Sequence, residues 1–66
     1  MNIVLNGEQR GLADALTVLG LIEQLELAGK RLAVEVNEEV IPRSQHEVFR
    51  LKEGDRVEIV QAIGGG

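Results

Sequence analysis

Three consecutive glycines, Gly64, Gly65 and Gly66, follow directly on an apolar stretch at the end of the sequence. The carboxyl of Gly66 is the group whose setting most suggests covalent chemistry. With no Cβ beside it, its carbon is unhindered, and a glycine run adds no bulk on the approach. Such a carboxyl suits attack on a nucleotide phosphate to give an acyl adenylate. The activated carbonyl can then accept sulfur or an amine. The carboxylate itself is inert at neutral pH, so another protein must supply ATP and activation. Three or four extended residues reach about 10–14 Å, enough to thread a narrow channel. The competing reading is a frayed chain end without a role. A chain with no other evident chemistry favours the functional one.

The remaining polar residues offer less. His46 is the sole histidine and lies in a polar turn sequence, S-Q-H-E. A general-base or metal role needs companions that the sequence does not supply, so His46 is expected at the surface. Glu38 and Glu39 are adjacent and read as solvated turn carboxylates. Asn37, just before them, reads as a turn former. Arg43 and Arg56 fit either an acidic partner surface or plain solvation. There is no cysteine, which excludes a disulfide scaffold, a cysteine metal site and a cysteine nucleophile.

Sixty-six residues make one domain with a thin core, in which the large apolar side chains are needed for packing. That disfavours a stand-alone enzyme with a deep pocket. The net charge of −4 repels nucleic acid backbones. No signal peptide or membrane span is visible, and the expected location is the cytoplasm.

Several elements would hold the glycine run. Met1 to Asn6 alternates as a strand, with Asn6-Gly7 as a turn and Gln9 to Ala13 as the return strand. Val18, Leu21, Ile22 and Leu25 form one apolar stripe, predicting a helix over 17–28. Thr17 is its N-cap, with Asp14 competing, and Gly29 is its C′ glycine. Gly20 costs that helix up to about 1 kcal/mol. Leu32 to Asn37 alternates again. Glu38-Glu39 reads as a turn and Val40-Ile41 as a short strand ended by Pro42. Ser44 to Glu47 fits a capping box on a single helical turn. Phe49 to Leu51 is extended, Glu53-Gly54-Asp55 is a turn, and Arg56 to Ile63 is the last strand. Strands grouped around one helix imply an α+β fold, the helix packed on one sheet face.

Three segments then carry a resemblance: M-N-I-V-L-N-G at the start, L-A-V-E-V-N-E-E-V-I-P-R-S-Q-H in the middle, and E-G-D-R-V-E-I-V-Q-A-I-G-G-G at the end. Together they resemble the ThiS family of thiamine-biosynthesis sulfur carriers across almost the whole chain. The V-N-x-x-x-(I/V)-P-R block at Val36 to Arg43, the G-D-x-(V/I) turn and the terminal Gly-Gly make the pattern fairly specific. The helix entry, Asp14-Ala15-Leu16-Thr17-Val18, departs from it, and residues 8–13 match poorly.

The resemblance implies a ubiquitin-like β-grasp fold, a mixed sheet of four to five strands on one helix, with first and last strands parallel at its centre. It implies a domain over 1–63 and a flexible glycine tail over 64–66, in a monomer when free. It also implies partners: a ubiquitin-activator-like adenylating enzyme, a persulfide sulfur donor, and a thiazole synthase that takes sulfur from a thiocarboxylate on Gly66. ATP and magnesium would belong to the activating enzyme, with no cofactor bound by this chain. Val4, Val60, Ala62 and Ile63, on outward faces of the two central strands, would merge into an apolar patch where partners dock. Other readings stay open: a carrier for molybdopterin or tRNA thiolation, a protein modifier, or an inert interaction module.

Overall fold

The computed structural model describes residues 1–62. Five strands and one helix follow in the order β1 (Asn2–Leu5), β2 (Glu8–Gly11), α1 (Val18–Gln24), β3 (Leu32–Val36), β4 (Glu39–Val40) and β5 (Arg56–Gln61), with a 3-10 turn at Arg43–Gln45. The sheet order is β2-β1-β5-β3-β4, so the last strand enters the centre beside the first. β1 and β5 run parallel, and the other neighbours are antiparallel. The expected mixed sheet on one helix is the architecture found.

Alternation makes the strands. Ile3 and Leu5, Val34 and Val36, and Val57 and Ile59 turn inward and are buried. From α1, Val18, Leu21 and Ile22 meet them, and Leu12, Ile41 and Leu51 complete the same cluster from the connections. At about 1.5–3 kcal/mol per fully buried aliphatic side chain, this cluster supplies most of the driving force.

The turns set the register. Asn6 and Gly7 both take positive φ, 49° and 85°, which gives a two-residue hairpin turn with the twist the strands need. Leu5 therefore faces Glu8, and β2 starts one residue earlier than the alternation predicts. It also stops at Gly11, because Leu12 leaves the strand to enter the core. The second hairpin turns at Asn37-Glu38, φ 51° and 70°, so β4 is Glu39–Val40 rather than Val40-Ile41.

The helix begins as expected: Thr17 caps it, its side-chain oxygen accepting from the Gly20 amide at 3.0 Å. Its end differs from the expectation. α1 stops at Gln24, and the left-handed residue after its C-cap is Glu26, φ 59°, not Gly29. Glu26 N donates to Glu23 O and Leu27 N to Ile22 O, both at 3.0 Å, the paired bonds of a Schellman closure. Leu27 thereby turns back onto the core, and that packing offsets the left-handed strain at Glu26. Gly29, φ 84°, serves a second turn. The capping box at Ser44 is also corrected. The 3-10 turn starts at Arg43 behind Pro42, no side chain caps it, and Ser44 lies inside it.

Candidate functional site

The structure holds the root of the glycine run firmly. β5 is bonded on both edges. Val4 N donates to Asp55 O and Asn6 N to Val57 O, both at 2.9 Å, from the β1 side. On the other side, β3 pairs with β5 from Val36↔Val57 to Leu32↔Gln61. The last backbone bond described runs from Ala62 N to Arg31 O, 3.0 Å.

Two asparagines add long-range ties. Asn6 Oδ1 accepts from Ile59 N at 2.9 Å, and Asn6 Nδ2 donates to Ile59 O at 3.3 Å. Asn37 Oδ1 accepts from Arg56 N at 2.9 Å, and Asn37 Nδ2 donates to Asp55 Oδ1 at 3.0 Å. Asp55 is only 3% exposed, and its Oδ2 accepts from Lys52 N at 2.9 Å. Each asparagine sits in a hairpin turn, where Asn tolerates positive φ, and each also fixes β5. Asn37 is thus the turn former the sequence suggested, with a second task that no local pattern announces.

Gly64, Gly65, Gly66 and Ile63 lie outside the described residues. Of the expected docking residues, Val4 is half-buried while Val60 and Ala62 are exposed. The register separates them. Val4 lies level with Arg56, whereas Val60 faces Ala33 on the other neighbour. Four residue steps of strand, roughly 13 Å, separate those two positions. The single apolar patch running from Val4 to Ala62 is therefore corrected. Val60 and Ala62 instead share a shallow depression with Leu32, Ala33, Arg31 and Arg43.

Glu58 faces Glu35 across the β5–β3 pair, between the Val4 and Val60 levels. Among the described residues the ion pairs are Met1 N with Asp14 at 3.2 Å and Lys52 with Asp55 at 3.5 Å. Arg31, Arg43, Arg56, Glu35 and Glu58 thus have no ion-pair partner among the described residues. Arg31 is the residue the sequence reading missed. By local pattern, Lys30 and Arg31 are simply cations that follow a helix end. The signal available was Arg31's place next to β3, the strand that flanks β5.

His46 is not at the surface. It is buried, with Nε2–H donating to Ile41 O at 3.0 Å, and its own carbonyl accepts from Leu19 N at 2.8 Å. A histidine bonded to a backbone carbonyl inside a turn is a brace. Glu38 and Glu39 are exposed, as expected. No group of three or more metal-ligating side chains occurs among the described residues. No helix among them is long and apolar enough to cross a membrane.

The model of the ThiS family matches residues 3–66. Over its full length the chain is 32% identical to the sulfur carrier protein ThiS of Escherichia coli K12, covering all of that protein. It is 39% identical to a thiazole synthase of Paramagnetospirillum magneticum, again over the whole chain but over only 20% of that protein. The chain therefore spans about a fifth of the synthase's length. The crystal structure of a thiamine biosynthesis protein (ThiS) from Geobacter metallireducens superposes with a TM-score of 0.85, at 35% identity and full coverage of both chains.

Proposed function

The chain belongs to the ThiS family, and from that premise we propose that it is a sulfur carrier in thiamine biosynthesis whose working group is the carboxyl of Gly66. The observation that carries the reading is positional. β5 is central, bonded on both edges and pinned by two asparagines, and the sequence continues from it directly into Ile63 and the three glycines. The body acts as the address and the glycine run as the handle.

The chemistry falls to partners. A carboxylate oxygen of Gly66 attacks the α-phosphorus of ATP on a ubiquitin-activator-like adenylating enzyme, and pyrophosphate leaves. The terminal sulfur of a persulfide donor then attacks the acyl carbon, and AMP leaves. A thiol cleaves the S–S bond, leaving a thiocarboxylate. The carrier contributes an unhindered carbon and a fixed origin for it, with no acid or base of its own. ATP and magnesium are used on the activating enzyme. Dependence on ATP supports a cytoplasmic site of action.

The full-length match to part of a thiazole synthase favours that enzyme as the sulfur acceptor over a molybdopterin precursor or tRNA. Reconstitution tests the proposal. The carrier is mixed with the adenylating enzyme, ATP, magnesium and a persulfide donor, and its intact mass is taken. Exchange of one oxygen for sulfur supports a carrier. Ladders of conjugates indicate a modifier, and an unchanged mass an inert module.

A further inference from the structure

We propose that Asn6 is a site of spontaneous deamidation, gated by its own grip on β5, and that loss of this one amide loosens the strand leading to the glycines. The chain carries one Asn-Gly pair, Asn6-Gly7; Asn2 and Asn37 precede Ile3 and Glu38, whose side chains hinder the same reaction. No enzyme is needed. The Gly7 nitrogen attacks Asn6 Cγ, an N–Cγ bond forms and the Cγ–Nδ2 bond breaks. The amide group leaves as ammonia, taking the proton of the Gly7 N–H. Water then opens the five-membered imide at either carbonyl and leaves aspartate or isoaspartate. Glycine keeps the attacking nitrogen unhindered. Both residues are exposed, so water reaches the ring.

The folded turn opposes ring closure in two ways. Positive φ at Asn6 and Gly7, 49° and 85°, is the pattern of a type I′ turn. Its first residue has a ψ of about +30°, which sets the next nitrogen nearly anti to that residue's own Cβ. The ring needs the two on the same side, so the turn must come undone before it closes. The side-chain amide is also held, with Oδ1 accepting from Ile59 N at 2.9 Å and Nδ2 donating to Ile59 O at 3.3 Å. Along the β1 edge of β5, Asn6 N donates to Val57 O, and the Asn6 side chain then supplies the next rung, where the main chain has turned away. The nitrogen that must depart as ammonia is thus a bonded donor in the folded state.

The product cannot rebuild that rung. A carboxylate still accepts from Ile59 N, but its second oxygen faces the Ile59 carbonyl, and two acceptors repel where a donor stood. Isoaspartate also lengthens the main chain by one carbon, inside the turn that sets Leu5 opposite Glu8. Each modified molecule therefore opens more readily than its parent, and loss of ammonia to solvent makes the change one-way. Ile59 lies in β5 just ahead of Val60 and Gln61, so the segment loosened is the root of the glycine run.

The test incubates the full chain in mildly alkaline buffer, folded and in guanidinium chloride. Exchange of NH2 for OH is followed by intact mass and placed by fragmentation. In denaturant, Asn6 is expected to react ahead of Asn2 and Asn37. In the folded chain it is expected to react at least about tenfold more slowly, because the turn and two bonds must open first. Asn6→Asp, equivalent to the product, is expected to raise the unfolding equilibrium constant about tenfold, read by far-UV circular dichroism. Should that variant not fold, Asn6→Gly keeps the turn and removes the rung; hydrogen exchange at Ile59 N is expected to quicken about tenfold. Equal rates for Asn6 in folded and denatured chain would overturn the gate. Earlier reaction at another asparagine would overturn the site. An Asn6→Asp variant as stable as wild type, or unchanged exchange at Ile59 N in Asn6→Gly, would overturn the loosening. None of these readouts depends on sulfur transfer, so the inference stands or falls apart from the carrier function.

Discussion

Replacing Asn37 by alanine tests whether one turn residue holds the strand that leads to the glycines. Three costs follow from the structure. The buried Asp55 Oδ1 loses the Asn37 amide at 3.0 Å and keeps only Lys52 Nζ at 3.5 Å, a loss of about 1.5 kcal/mol for a bond to a charged group. Arg56 N loses its acceptor at 2.9 Å, but the site is exposed, so water limits that cost to about 0.5 kcal/mol. Alanine must also adopt φ near 51°, at about 1 kcal/mol. The total is about 3 kcal/mol, against roughly 3–10 kcal/mol for a chain of this length. The variant should therefore be near its folding threshold at 37 °C. Asn37→Gly separates the terms, since it keeps the conformation and loses the bonds, for about 2 kcal/mol. The chain has no tryptophan or tyrosine, so urea unfolding is followed by far-UV circular dichroism. An alanine variant within about 0.5 kcal/mol of wild type would refute the clamp. Equal losses for glycine and alanine would refute the conformational part.

Four further outcomes are expected. Glu26→Gly should stabilise the domain by about 0.5–1 kcal/mol, because the left-handed position closing α1 carries a Cβ it does not need; urea midpoints decide. Gly20→Ala should destabilise by about 1 kcal/mol despite its better helix propensity, since the new Cβ would sit 2.6 Å from Leu16 Cδ1; a gain in midpoint would contradict this. Val60→Asp should leave stability within about 0.5 kcal/mol, its side chain being 61% exposed, yet weaken binding to the adenylating enzyme; calorimetric titration beside a melt checks both. Deleting Gly66 should abolish sulfur uptake at an unchanged melting temperature, and uptake by the shortened chain would sink the proposed mechanism.

The strands were legible because their buried positions are aliphatic and strictly alternate: Ile3 and Leu5, Val34 and Val36, Val57 and Ile59. The first hairpin was legible because Asn6-Gly7 is a dipeptide whose φ values admit few turns. The helix end was not. Leu25, Leu27 and Ala28 extend the apolar pattern past Gln24, and the signal sought was a glycine. The actual stop is a pair of backbone bonds around Glu26, sustained by Leu27 packing back on the core. His46 misled for a related reason. Its polar neighbours predict exposure, but the turn aims its ring at Ile41 O. The site was legible in part. Gly66 follows from composition and position, and the parallel pairing of β1 with β5 from the family resemblance. The separation of Val4 from Val60 and the facing glutamates depend on interstrand register, which pairs residues more than twenty positions apart and leaves no local trace.

The most direct measurement is the mass of the intact chain after incubation with its adenylating enzyme, ATP, magnesium and a persulfide donor, followed by fragmentation to locate the change. Replacement of a single oxygen by sulfur, confined to the fragment containing Gly66 and lost when thiazole synthase and its substrates are added, is the result expected. A mass that never moves while ATP is turned over, or sulfur found on any other residue, would contradict it.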